Sequence, residues 1–167
     1  MKNSILLILI LVNLSSCKYS PFEISPPTEI DFPKAETYDL KQEEFLISQL
    51  NIFTDLNQGI EASKINGKPI LLYFTGYALI NGRKIESDLL LENKTIFQTM
   101  KNDYTNVWLY IDDKASGKKW SDYQKLHFKS NQQPYFVILD SKGNPISKGL
   151  GYYDAKKDLE IELLNHK

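Results

Sequence analysis

The chain has 167 residues, of which 42% are hydrophobic and 12% aromatic, so it is long enough for one domain with a proper core and too short to expect two. Its 20 Lys and Arg residues nearly balance its 21 Asp and Glu residues, and the two signs are interspersed. The sequence has no basic run or stripe of the kind that nucleic-acid binding requires, which excludes nucleic acid as an expected partner.

The first seventeen residues, MKNSILLILILVNLSSC, have the pattern of an export signal. Lys2 gives a short positive region, and residues 5–12 form an apolar run that is too short for a membrane span, which needs roughly 20 apolar residues. The LSSC segment resembles the lipobox of bacterial lipoproteins. This resemblance implies that residues 1–16 are a signal peptide and that Cys17 is diacylated and becomes the new N-terminus.

Lipidation at Cys17 also predicts where the protein is found. The mature protein would be anchored by lipid to a membrane of the bacterial cell envelope and would face the periplasm or the cell surface. Cys17 is the only cysteine in the sequence, so its lipidation would leave the mature protein with no free thiol and no disulfide.

Residues 17–38 are predicted to form a lipidated, proline-rich tether in front of a domain at 39–167. Proline fixes φ and removes a backbone donor, so the segment should be extended and semi-rigid. The alternative, which applies above all to its second half, is that Phe22, Ile24, Ile30 and Phe32 pack back on the domain as an extended arm.

The domain begins with apolar residues at three- and four-residue steps over 40–66, interrupted near Asn51, which predicts one or two helices. The patterns downstream predict strands at 69–74, 106–112, 135–140 and 145–151 and helices at 88–102, 119–128 and 154–166. The helix at 88–102 should break near Asn93, and Asp154 is the predicted N-cap of the last helix. A strand–helix–strand order followed by a hairpin predicts an α/β fold with a parallel βαβ unit.

Several motifs in this order resemble one known family. The segments GKPILLYFTGY, NGRKIE, YIDDK, GKKWSDYQ and NQQPYFVILDSKGN are similar to the C-terminal thioredoxin-like domain of the DsbD-type bacterial thiol:disulfide interchange proteins. The resemblance runs from about Phe53 to the C-terminus. It implies a thioredoxin-like fold, with a central mixed β-sheet flanked by helices, in a family of protein-disulfide reductases.

The resemblance fails at the two residues that carry the family's chemistry. The family reads approximately F-T-G-Y/W-x-C-x-N-C-R-K-M-E where this protein has FTGYALINGRKIE. The identical positions are Phe74, Thr75, Gly76, Tyr77, Asn81, Arg83, Lys84 and Glu86. Leu79 stands at the nucleophilic cysteine, Gly82 at the resolving cysteine, and Ile85 replaces the methionine. Since thiol–disulfide exchange needs an attacking thiolate, the sequence predicts a non-catalytic protein without a cofactor.

The resemblance also implies a binding face. In thioredoxin-like proteins the proline that opens the third strand is cis, and the residue before it offers its backbone to an extended peptide. Carried over to this protein, the expected binding residues are Tyr77, Ala78, Leu79, Ile80, Gln133 and Pro134. We expect this face to bind an extended polypeptide by β-augmentation or an envelope redox partner. The alternatives are thiol exchange with cysteines supplied by a partner and a purely structural envelope lipoprotein.

Other polar residues have simpler interpretations. His127 and His166 lack cysteine co-ligands, so a zinc site is not expected and His127 is interpreted as a packing or surface residue. Asp112 and Asp113 are interpreted as solvated turn formers. Glu86 is expected to pair with a neighbouring lysine or to complement a helix N-terminus.

Overall fold

A computed structural model describes the protein from residue 40 to residue 167, with side chains from Glu44 onward. The predicted signal peptide (1–16), Cys17 and the tether (17–38) lie outside the described residues. The helices are α1 Leu40–Leu50, α2 Leu56–Asn66, α3 Ile80–Ile85, α4 Lys94–Asp103, α5 Gly117–Phe128 and α6 Tyr152–Asn165. The strands are β1 Ile70–Thr75, β2 Thr105–Tyr110, β3 Tyr135–Leu139 and β4 Leu150–Gly151, and a π-helical turn covers Glu86–Leu91.

The four strands form one mixed sheet in the order β2-β1-β3-β4. β1 is parallel to β2 and antiparallel to β3, and β4 is antiparallel to β3. Phe53 adds a single parallel bridge to the outer edge of β2 at Val107. The α/β class with a central mixed sheet flanked by helices is therefore confirmed, as is the parallel strand–helix–strand unit.

The sheet is buried on both faces because alternate side chains of each strand enter different hydrophobic clusters. On one face the strands contribute Leu71, Tyr73, Trp108, Tyr110, Phe136 and Ile138, which pack with residues of α1, α4 and α6. On the other face they contribute Ile70, Leu72, Phe74, Val107, Leu109, Tyr135, Val137 and Leu139, which pack with Leu56 and Trp120. All residues of β1, β2 and β3 are buried, including the polar residues Thr75, Thr105 and Asn106.

The predicted helix interruptions are confirmed. Asn51 has a left-handed backbone (φ 50°) directly after α1. Asn93 is the N-cap of α4, and its side chain accepts a hydrogen bond from the Ile96 N–H at 3.1 Å. Both asparagines therefore end one helical segment and permit the next to begin in another direction.

The C-terminal part of the fold differs from the prediction in two respects. The last helix begins at Tyr152, and its N-cap is Gly151 rather than Asp154, because α6 follows β4 without a linker. The predicted strand 145–151 pairs as a strand only at its last two residues. The side chain of Ser147 accepts the Ile138 N–H at 2.8 Å, and this bond takes the place of a strand-to-strand hydrogen bond.

The helix predicted over 88–102 is two segments, of which the first is a π-helical turn that continues α3. The Glu92 N–H donates to the Ser87 carbonyl at 3.3 Å, a five-residue step. Ile85 and Leu90, also five residues apart, are both fully buried. None of the helices within residues 40–167 has the length and apolarity to span a membrane.

Candidate functional site

Three loops lie at one edge of the sheet and together form the candidate site. They are the turn at 76–79 after β1, the loop at 111–116 after β2 and the loop at 131–134 before β3. They meet because Thr75 pairs in parallel with Tyr110, and Phe74 pairs antiparallel with Tyr135. The predicted binding residues from distant parts of the sequence are therefore brought to the same edge.

Two large side chains are exposed to solvent where the turn after β1 meets α3. Tyr77 is 53% exposed and Ile80 is 73% exposed. The Tyr77 ring stacks on the Tyr110 ring, with centroids 4.2 Å apart and planes 13° apart. Ala78 is exposed, while Leu79 is half-buried at the N-cap of α3. We call the exposed side chains of Tyr77 and Ile80 the apolar lip.

Asp112 contacts this turn directly, which the sequence interpretation missed. One carboxylate oxygen accepts the Tyr77 N–H at 2.8 Å, and the other accepts the Ala78 N–H at 2.9 Å. Asp112 is solvent-exposed and lies in the turn that follows β2, as its interpretation as a solvated turn former predicts, and its carboxylate in addition binds the turn after β1. The available signal was its position after a β-strand at the edge where α/β folds place ligands.

Asp113 does form a turn, as predicted. Its carboxylate accepts hydrogen bonds from the Ala115 and Ser116 N–H groups and from the Ser116 hydroxyl, just before α5 begins. The hydrogen bond from the Ser116 N–H is the largest influence that lowers the pKa of the Asp113 carboxyl below its ordinary value.

The position that the sequence resemblance aligns with a resolving cysteine is tightly enclosed. Gly82 is buried in α3, and a Cβ atom there would lie 2.8 Å from Thr75 Oγ1, 3.2 Å from Leu79 Cδ2 and 3.4 Å from Tyr73 Oη. The first of these distances is shorter than a real Cβ contact, so any side chain at this position requires Thr75 to move.

Behind the turn lies a buried cluster around Glu86, which is 3% exposed. Its carboxylate forms an ion pair with Arg83 and accepts hydrogen bonds from the Tyr73 hydroxyl at 3.1 Å and the Thr75 hydroxyl at 3.3 Å. Arg83 also donates to the Gly76 carbonyl at 2.6 Å. The expected pairing of Glu86 with a lysine is therefore wrong, because the arginine three residues earlier on the helix reaches inward. Burial, followed by the charge of Glu86, raises the pKa of the Tyr73 hydroxyl well above its ordinary value.

The loop before β3 has the predicted cis peptide bond between Gln133 and Pro134. Pro134 is buried and Gln133 is half-buried. Within residues 40–167, neither the backbone N–H nor the backbone C=O of Gln133 has a hydrogen-bond partner. The fully buried Gln124 of α5 fixes this loop, because its amide donates to the Gln132 carbonyl at 2.7 Å and accepts from the Gln133 side-chain amide at 3.2 Å.

The histidines lie elsewhere. His127 stacks on Tyr123 with ring centroids 4.2 Å apart, in agreement with a packing or surface role. His166 lies 2.9 Å, through Nδ1, from the Glu162 carbonyl at the end of α6. In the described part of the protein, no cluster of three or more His, Cys, Asp or Glu residues has an arrangement that could hold a metal ion.

Comparison with known proteins shows the fold. No protein-family model and no curated protein sequence matches this one. A thioredoxin from Thermus thermophilus is similar in structure, with a TM-score of 0.54, 13% identity, and coverage of 68% of this protein and 84% of that one. A structure described as a DsbH oxidoreductase has a TM-score of 0.50 and 20% identity, and the match covers 66% of this protein and 84% of that one. At these identities the likeness shows a thioredoxin-like fold, as the sequence resemblance predicts.

Proposed function

We propose that this domain of thioredoxin-like fold binds an extended polypeptide, or an extended segment of an envelope redox protein, without forming a covalent bond. The observation that carries the proposal is the backbone of Gln133, whose N–H and C=O have no hydrogen-bond partner within residues 40–167. A backbone with free donors and acceptors can accept an added strand.

The apolar lip supplies the second half of the proposed site. Tyr77 is exposed on the turn after β1 and Ile80 is exposed at the start of α3. Gln133 lies in the loop before β3, the strand next to β1. An extended ligand paired with Gln133 would place alternate side chains toward that turn. Backbone pairing then supplies affinity for many sequences, and the apolar lip selects large apolar side chains.

The same residues argue against catalysis of thiol–disulfide exchange. Exchange proceeds by attack of a thiolate on a disulfide sulfur, and the sequence has a single cysteine, Cys17, far from the site in residue number. Leu79 and Gly82 occupy the family's two redox positions. We therefore propose a protein that keeps the scaffold of a disulfide reductase and uses it for recognition.

The LSSC segment supports a lipid anchor at Cys17 and a place in the bacterial cell envelope. In that setting, the proline-rich tether would hold the domain away from the membrane surface. Stable anchoring needs more than one aliphatic tail, which diacylation of a cysteine provides.

Binding is tested with the full-length lipoprotein in detergent and a permanently unfolded polypeptide, reduced and carboxymethylated α-lactalbumin, as the probe. The joint variant Tyr77→Ala/Ile80→Ala removes the apolar lip and should weaken binding by about tenfold or more, as the loss of two apolar contacts predicts. The matched control is Tyr153→Ala, because Tyr153 is an equally large residue, 84% exposed on α6. A wild-type protein that does not bind the probe, or a joint variant that binds it equally well, would contradict the proposal and favour a structural role.

The same material separates binding from thiol exchange with cysteines of a partner. The wild-type protein should not reduce insulin with dithiothreitol, and Gln133→Pro, which removes the free N–H, should weaken probe binding. Insulin reduction that depends on an added cysteine-containing envelope protein would instead support the partner-assisted alternative.

A further inference from the structure

The loop after β2 makes a contact with the turn after β1 that involves only the backbone of the turn. Both oxygens of the Asp112 carboxylate are used, one for the Tyr77 N–H at 2.8 Å and one for the Ala78 N–H at 2.9 Å. Hydrogen bonds between an ionised carboxylate and backbone N–H groups are stronger than neutral ones. Asp112 thus fixes two consecutive peptide groups of the turn from a position 35 residues away.

The turn is shaped to receive this carboxylate. A Cβ atom at Gly76 would lie 2.9 Å from Asp112 Oδ2 and 3.0 Å from both Cγ and Oδ1. A residue with a Cβ atom at position 76 would therefore force the Asp112 carboxylate to shift. Glycine at this position permits the close approach of Asp112.

Two further contacts restrain the neighbouring atoms of the turn. Arg83 donates to the Gly76 carbonyl at 2.6 Å, and the Tyr77 ring lies on the Tyr110 ring, two residues before Asp112. The Asp112 carboxylate in turn binds the backbone N–H groups of Tyr77 and Ala78. Since those N–H groups are occupied, a ligand meets the turn through the side chains of the apolar lip.

We infer that Asp112 is a positioning residue for ligand recognition: its carboxylate holds the turn in the conformation that presents Tyr77 and Ile80. The inference rests on the proposed function, since the ligand is the extended polypeptide proposed above. A restrained lip loses less conformational freedom when a ligand binds, so the hydrogen bonds of Asp112 contribute to affinity without touching the ligand.

The test compares two neighbouring carboxylates. Asp112→Asn replaces one acceptor oxygen by an NH₂ donor, which leaves one turn N–H without an acceptor. Asp113→Asn makes the same change one residue later, in a carboxylate that binds the turn before α5. Gly76→Ala is a second, independent variant, which displaces the Asp112 carboxylate while keeping its charge.

We expect Asp112→Asn and Gly76→Ala, but not Asp113→Asn, to accelerate hydrogen exchange at the Tyr77 and Ala78 amides and to weaken binding of carboxymethylated α-lactalbumin by about tenfold. In the Tyr77→Ala/Ile80→Ala background, Asp112→Asn should weaken binding no further, because there is no lip to position. A loss of overall structure would weaken binding in every background, and circular dichroism would detect it.

Wild-type protein that fails to bind the probe overturns the proposed function and the inference with it. Wild-type protein that binds, together with an Asp112→Asn variant that binds equally well, overturns the inference alone. An additive loss of affinity in the background that lacks the lip also overturns it.

Discussion

The close fit around Gly82 predicts that a single methyl group changes the stability of the domain with a sign that depends on Thr75. In Gly82→Ala, the new Cβ would lie 2.8 Å from Thr75 Oγ1, and Thr75 is fully buried in β1. Room for the methyl group requires the Thr75 side chain or α3 to shift, which would weaken the hydrogen bond of Thr75 to Glu86. Such overpacking typically lowers the free energy of unfolding by about 1–3 kcal/mol.

The higher helix propensity of alanine opposes this loss of stability. Replacing a helical glycine by alanine raises the free energy of unfolding by about 1 kcal/mol in the absence of a steric conflict. Gly82→Ala should therefore lower it by about 0–2 kcal/mol in the wild-type background and raise it by about 1 kcal/mol in Thr75→Ala. The lost hydrogen bond to Glu86 is common to both Thr75→Ala proteins and cancels in the double-mutant cycle.

Thr75→Val is the matched control. Its second methyl group occupies the place of the hydroxyl oxygen, so the steric overlap with the Cβ atom of Gly82→Ala remains. The measurement is urea denaturation at neutral pH, followed by the fluorescence of the buried residues Trp108 and Trp120. The expected coupling between Gly82→Ala and Thr75→Ala is about 1–3 kcal/mol. A coupling below about 0.5 kcal/mol, or an equal coupling with Thr75→Val, would refute the steric argument.

Three further predictions concern redox chemistry, pH and processing. Leu79→Cys/Gly82→Cys should form a reversible disulfide and gain insulin-reducing activity that the wild-type protein lacks. The disulfide should form more easily when Thr75 is alanine. A folded double variant that forms no disulfide would show that the turn no longer holds positions 79 and 82 at a distance that a disulfide can bridge. Burial raises the pKa of the Tyr104 hydroxyl, which donates to the Leu163 carbonyl at 2.8 Å, so the folded state retains a proton that the unfolded state releases. The free energy of unfolding should therefore decrease as pH rises above about 10, and it should decrease less steeply with pH in Tyr104→Phe. Equal pH dependence of the two unfolding free energies, measured by urea titration, would contradict this. Mass spectrometry of the mature protein should find an acylated Cys17, and Cys17→Ser should accumulate unprocessed; an unmodified N-terminus at another residue would exclude lipidation.

The strands and the fold class could be predicted because their signals are local. The run from Ile70 to Phe74 is hydrophobic because both faces of β1 are covered, and a short continuous hydrophobic run is what a buried strand requires. The helix boundary at Asn93 is equally local, since the side chain that caps α4 belongs to the residue at the break.

The contacts that shape the candidate site could not be predicted in the same way. Asp112 bonds to a turn 35 residues earlier, and Gln124 bonds to a loop eight residues later whose path depends on β3. In sequence both residues are ordinary polar residues, and only the packing of the strands brings them to the site. The partner of Glu86 is hard to predict for a related reason, because the residue that pairs with it depends on which helix face is buried.

The π-helical turn predicts how this segment should differ in length in a relative that has a regular helix here. In a regular α-helix, residues five positions apart point about 140° away from each other, so Ile85 and Leu90 could not both enter the core. The wide turn brings them to the same side by accommodating one more residue than an α-helix would. A relative with an unbroken α-helix here should align with a one-residue gap between Glu86 and Glu92, because deletion of a single residue would place Leu90 four positions after Ile85, on the same face of a regular helix.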